Sequence, residues 1–376
     1  MLDLRAMSAR VWRRRALSWS LAILALSFVA WVVPVRDRCR DPGTSATPSV
    51  AISRLADVCI VHVSSGDIPI SRRDCEALKC EPGLASALVG TKIGVLVALL
   101  GLYGVGTLIW AARWRLLLSL GGVDLSLSRV WRISIEAQAG GILLPGGLGG
   151  DAFRIAAVSG ASRADKAPPL SIAIASILLD RMIGLSTIAA VAGAIGLALG
   201  GPNVGTIAWG LLCIPLGFCG SLLLLRSRIL SGETAPMRGR IGQRLRPLVE
   251  YVRHPDALRV VAKACIVSLL VSASQIAVIR GLVFALGASP SQEKWVYVGT
   301  AMAFIVSALP ALPGGWGTAD AAYVFFLGFA GIGAGTALAV CLLYRLFWYV
   351  SGAVGALLHL LPGGAFDETS KPTVIQ

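Results

Sequence analysis

The chain has 376 residues, of which 56% are apolar and only 14% charged, with 43 glycines and a mean hydropathy of +0.76. A water-soluble domain carries about 25% charged residues to keep its surface wet, so this composition excludes a soluble enzyme, a disordered scaffold and a disulfide-rich secreted domain. The net charge of +14 comes with no DNA- or RNA-reading motif, so no nucleic acid is expected; basic residues instead flank apolar runs, with anionic lipid headgroups as their natural partner.

A hydrocarbon core of about 30 Å takes roughly 20 apolar residues of helix. Arg5, Arg10, Arg13, Arg14 and Arg15 precede the first such run, residues 16–35, which reads as an uncleaved transmembrane helix with its N-terminus in the cytoplasm. Residues 36–85 form an extracytoplasmic loop with seven basic and seven acidic residues. Cys39, Cys59, Cys75 and Cys80 fall within it. An even set of cysteines in an oxidising compartment reads as two disulfides, with all three pairings open. A zinc site is the weaker reading, because the Cys-x4-Cys spacing is loose and His62 is the one imidazole nearby. Cys213, Cys219, Cys265 and Cys341 sit in apolar runs and read as small packing residues.

A span at residues 86–112 returns the chain to a basic cytoplasmic shoulder of Arg113, Arg115, Arg129 and Arg132. Residues 134–160 are apolar but broken by Pro145 and a cluster of glycines, through which no straight helix can run. Backbone left unpaired at membrane depth is tolerated only against protein or a wet cavity, which predicts a re-entrant helical hairpin opening to the cytoplasm. Full spans follow at residues 170–199 and 206–225. Nine basic and three acidic residues then lie between Arg226 and Lys263, with a short amphipathic helix expected over 241–251, held at the headgroups by Arg244 and Arg246. A span at 264–286, a second broken segment at 295–330 around Pro310 and Pro313, a last span at 336–361 and a polar cytoplasmic tail at 362–376 complete the chain. The expected fold is all-α: a polytopic membrane protein with about six full spans and two re-entrant hairpins.

The two broken segments share the string LPGGxG, beginning at Leu144 and Leu312, 168 residues apart. Each is followed by a span expected to bury an arginine at membrane depth, Arg181 in one and Arg345 in the other. The first hairpin opens from the cytoplasm and the second from outside, so residues 86–199 and 264–361 form an inverted repeat, the arrangement of many transporters. A helix restarting after glycines presents unpaired N–H groups and the positive end of its dipole, which favours an anion such as phosphate. Gly146, Gly147, Gly149 and Gly150, with Gly314, Gly315 and Gly317, are therefore candidate backbone donors to a substrate headgroup. Asp151, Arg154, Asp180, Arg181, Asp320 and Arg345 are the candidate charged residues. Asp180 and Arg181 lie about ten residues into their span, roughly 15 Å deep, where a charge is costly unless paired or hydrated.

The competing readings are structural. Asp180 could pair with Arg345, Asp151 with Arg154, and Glu136 and Gln138 could simply stabilise the first hairpin. Arg280 is expected to snorkel to the outer interface, Lys92 and His359 to sit at helix ends, and Trp110, Trp114, Trp131, Trp295 and Trp348 to anchor at interfaces. The chain has no Walker A string, no His-Glu-x-x-His, no Gly-x-Ser-x-Gly and no metal-spaced cluster in its membrane part. Neither an enzyme nor a cofactor is expected.

PGGLGGDAFR at 145–154, the Asp180-Arg181 pair, LPGGWGTADA at 312–321 and Tyr344-Arg345-Leu346 together resemble the lysylphosphatidylglycerol synthase transmembrane family. The resemblance covers residues 86–361 and fits better than one to the DedA-like proteins. It implies a flippase-like domain that moves anionic lipid, aminoacylated phosphatidylglycerol or a polyprenyl-phosphate-linked glycan, across a bacterial inner membrane. About fifteen residues follow the last helix, so lipid aminoacylation is not implied. Thr318, Ala319 and Asp320 stand where such proteins often carry Arg-Glu. Two rival readings are a membrane partner of a cell-envelope lipid or glycan synthase, recruiting it through residues 226–263, and an integral-membrane transferase using Asp151.

Overall fold

The structure, a computed structural model, describes residues 27, 31, 33, 35, 37–40, 50–54, 58–63, 66–71, 79–81, 83–89, 91–143, 148–160, 170–199, 202–230, 249–307 and 316–361. Among them are five strands and ten helices. The strands correct the all-α expectation. β1 (Asp37–Arg40), β2 (Val50–Arg54), β3 (Val58–Val63), β4 (Gly66–Ser71) and β5 (Lys79–Glu81) form one antiparallel sheet in the order β4-β3-β2-β1-β5. The reason is local: β3 reads Val-Cys-Ile-Val-His-Val, rich in β-branched residues that pack well on a pleated surface. Register places Val61 opposite Ile52 on β2 and Ile68 on β4, and Cys39 opposite Cys80. The side chains of Cys39, Cys59 and Cys80, and the whole of Cys75, lie outside the described part, and the disulfide expectation lies there with them.

The helices are α1 (Leu84–Val89), α2 (Ile93–Leu120), α3 (Leu127–Leu143), α4 (Leu148–Gly160), α5 (Leu170–Leu199), α6 (Pro202–Leu230), α7 (Ala257–Ala285), α8 (Glu293–Ser307), α9 (Thr318–Gly328) and α10 (Ala334–Leu360). Five contain stretches long and apolar enough to cross a membrane: Ile93–Leu120, Leu170–Leu199, Val204–Leu224, Ala257–Ala285 and Ala334–Leu360. They match five of the six expected spans; the first, residues 16–35, falls almost wholly outside the described residues. Their outward side chains are apolar, with Leu108, Leu178, Met182, Leu216, Leu269 and Leu357 exposed. That is the surface hydrocarbon requires. The protein is a multi-pass membrane protein.

Each broken segment is a pair of short helices, α3 with α4 and α8 with α9, and the partners pack on each other. At 1.5 Å per residue these helices of 11 to 17 residues reach roughly 16–26 Å, short of a full hydrocarbon core. The strings at 144–147 and 308–315 are outside the described residues. The basic shoulder expected at Arg113, Arg115, Arg129 and Arg132 is helical instead, because α2 continues to Leu120 and α3 begins at Leu127. Of the amphipathic helix expected over 241–251, the described part is a helical turn at 249–253, whose Tyr251 hydroxyl donates to the Leu117 carbonyl.

The chain divides into two compact units. Unit one comprises residues 1–99, 279–307 and 315–345; unit two comprises 100–278, 308–314 and 346–376. In unit one, Gly299 of α8 lets Phe326 of α9 approach closely, a Cβ there being 3.0 Å from the Phe326 side chain. In unit two, Trp114, Leu118, Val130, Ile133, Ala157 and Ile177 build a core from α2, α3, α4 and α5. Here α3 and the end of α10 meet backbone to backbone, since a Cβ on Gly355 would run into the Ile135 carbonyl oxygen. Small residues at such crossings are the usual device where hydrocarbon offers no hydrophobic drive. Arg132 fastens the contact: it donates to the Leu358 and Leu361 carbonyls at the negative end of α10 and to buried Glu136 at 2.9 Å. His359 Nδ1 holds the other Glu136 oxygen at 2.8 Å, so Glu136 is a structural group of the hairpin.

Gly355→Ala should therefore lower stability by about 1–3 kcal/mol through forced separation of α3 and α10. Gly210→Ala, where a Cβ meets nothing within 4 Å, should raise it by about 0.5–1 kcal/mol. Thermal melts of the two variants in detergent, followed by circular dichroism, read the difference.

Candidate functional site

In unit two the site is built around Asp180, ten residues into α5 and 1% exposed. An ionised carboxylate so deep persists only with several donors around it. Arg113 Nε donates to Oδ1 at 2.8 Å, Trp110 Nε1 to Oδ2 at 3.2 Å, and Arg154 Nη1 lies 3.5 Å from Oδ2. Arg113 Nη1 also donates to Ser268 Oγ on α7 at 2.7 Å, and Ser268 meets Thr187 at 2.6 Å. One pair of charges thus ties α2, α5 and α7 together.

The next residue faces elsewhere, because consecutive helical side chains diverge by about 100°. Arg181 is 42% exposed and holds Asp151 of α4 at 2.8 Å. Arg154 stands one turn after Asp151, with Nη1 3.9 Å from its carboxylate. The Arg154 guanidinium lies over the rings of Trp114 at 3.9 Å and Trp110 at 4.5 Å, a desolvated cation on aromatic faces. Its Nε and Nη2 are buried and have no hydrogen-bond partner among the described groups.

Unit one repeats the theme with fewer charges. Asp320, at the third position of α9, receives the backbone N–H of Gly317 at 2.8 Å, Arg345 Nη2 at 2.8 Å and the Cys341 thiol at 3.1 Å. Gly317 has a φ of 79°, in the left-handed region where glycine avoids the strain of a Cβ. The Arg345 guanidinium lies 4.0 Å over Trp316. Its Nη1 and the Tyr323 hydroxyl are buried and without a partner among the described groups.

The family model for the lysylphosphatidylglycerol synthase TM region matches residues 83–355. The chain belongs to this family. No curated protein and no solved structure matches it. The lysylphosphatidylglycerol synthase TM region contains both aspartate–arginine–tryptophan clusters, whereas the strands precede it.

The geometry of this family member redraws several expectations. The pairing of Asp180 with Arg345 gives way to Asp180 with Arg113 and Asp320 with Arg345, while Asp151 keeps Arg154 at 3.9 Å and is held more tightly by Arg181 at 2.8 Å. Trp114 is fully buried and serves Arg154, so it is no interfacial anchor. Cys341 is a donor to Asp320 as well as a packing residue, while Cys213 and Cys219 are exposed. Gly149 and Gly150 are buried at the start of α4, and Gly150 serves close packing: a Cβ there would lie 2.8 Å from the Ala137 carbonyl. Gly146, Gly147, Gly314 and Gly315 lie outside the described residues. The helix starts already carry carboxylates, Asp151 in the first turn of α4 and Asp320 on Gly317, and the buried donors left over among the described groups are on Arg154, Arg345, Tyr323 and Ser186. Sequence reading missed Arg113, Trp110 and Trp316. The signal for the first two was the spacing Trp110-x-x-Arg113-Trp114, which puts all three on one helical face.

Removing one partner of a buried pair strands the other charge, so Arg113→Met should cost about 3–5 kcal/mol. Arg115→Met breaks an exposed contact to Asp124 at 3.4 Å and should cost no more than about 1 kcal/mol. Unfolding of both variants in mixed micelles gives the comparison.

Proposed function

We propose that this protein is a carrier, not a transferase, that binds an anionic lipid headgroup and moves it between the leaflets of a bacterial inner membrane. The observation that carries the reading is a buried arginine in each unit, Arg154 and Arg345, stacked on tryptophan and left with N–H donors unused. Unsatisfied donors on a buried cation are costly in a low-dielectric surrounding and are satisfied by an oxyanion that enters. Membership of a lipid-related membrane family supports lipid as the source of that oxyanion. The short paired helices α3–α4 and α8–α9 fit re-entrant hairpins, in which non-helical backbone lines a polar site. The arginine-rich stretches at 5–15 and 226–263 favour cytoplasmic N- and C-termini.

Arg345→Gln keeps a donor for Asp320 but removes the charge. In liposomes carrying a fluorescent anionic phospholipid, the variant should fold and should flip lipid about tenfold or more slowly than wild type, as loss of a charged hydrogen bond implies. Transport at the wild-type rate would remove Arg345 from the site.

A further inference from the structure

Two tight pairs absorb four of the five charges clustered at Asp180. Arg113 holds Asp180 at 2.8 Å, and Arg181 holds Asp151 at 2.8 Å. Arg154 is the fifth, and it reaches both carboxylates through a single nitrogen, Nη1, at 3.5 and 3.9 Å. Indole rings cover it at 3.9 and 4.5 Å. What remains is the edge bearing Nε–H and Nη2–H, both buried and without a partner among the described groups. On a planar guanidinium these two bonds point the same way, side by side, as the fork that two oxygens of one anion accept together.

We infer that the Nε/Nη2 edge of Arg154 is a bidentate site for a phosphodiester monoanion, the group that joins a lipid's glycerol to its headgroup. The inference rests on the carrier reading above and narrows its substrate class. Three arginines against two aspartates leave one positive charge in surplus. A phosphodiester cancels it. A phosphomonoester, at about −1.5 to −2 near neutral pH, would leave the buried cluster negative, which a poorly solvated site resists. The fork also distinguishes arginine from lysine, whose point charge cannot bind two oxygens in one plane.

The test uses the full chain in maltoside micelles, which contain no phosphate, doped in turn with phosphatidylglycerol, phosphatidic acid or oleate, and native mass spectrometry to count retained lipid. Phosphatidylglycerol should be retained about tenfold or more over the other two, and Arg154→Lys should lose that excess while melting near the wild-type temperature. Equal or better retention of phosphatidic acid or oleate by wild type overturns the phosphodiester assignment. This holds even if Arg154→Lys fails to fold. A folded Arg154→Lys that still prefers phosphatidylglycerol overturns the fork. Soluble glycerophosphoglycerol that displaces the lipid at equal concentration keeps the phosphodiester site but removes the lipid source. Retention of none of the three overturns the carrier reading itself.

Discussion

Asp180 is a carboxylate held where solvent cannot reach it, and much of unit two is arranged around that fact. Its charge is affordable only because Arg113, Arg154 and Trp110 converge on it from α2 and α4. The same requirement reaches α7, whose Ser268 accepts a hydrogen bond from Arg113 Nη1. Ion pairs of this kind add little net stability against an apolar replacement, yet they are severe about geometry. A small rotation of α5 would leave two charges in a medium that punishes both.

That severity lets the neighbouring residue play another part. With Asp180 committed inward, Arg181 points outward and reaches Asp151, so one dipeptide serves two carboxylates on opposite sides of a helix. Unit one reaches a comparable state more economically. Asp320 alone receives an arginine, a thiol and a backbone N–H, and Trp316 takes the stacking role that Trp110 and Trp114 share in unit two.

Much of this was legible in the sequence. Apolar runs of about 20 residues are set by bilayer thickness, and five of the six expected spans coincide with helices of the structure. Pro145 and Pro313 with their glycines announced the breaks, and the flanking Asp151, Arg154, Asp320 and Arg345 lie at clusters of charge. Partner choice was not legible, because it depends on which faces of separate helices meet. Arg113 looked like a flanking cation, since a hydropathy ruler sees only that apolar residues stop there. The carboxylate that makes its burial tolerable is 67 residues away. The sheet was missed for a different reason: residues 36–85 were read by charge and cysteine content, and the β-branched run of β3 was passed over.

One carboxylate, Asp320, both closes the first turn of α9 and neutralises Arg345. The start of the helix and the charge on the arginine are therefore a single variable. Gly317 stands beside that carboxylate at a φ of 79°, a backbone conformation that a residue with a Cβ reaches only under strain. A side chain of one helix and the backbone at the start of another thus share a single carboxylate.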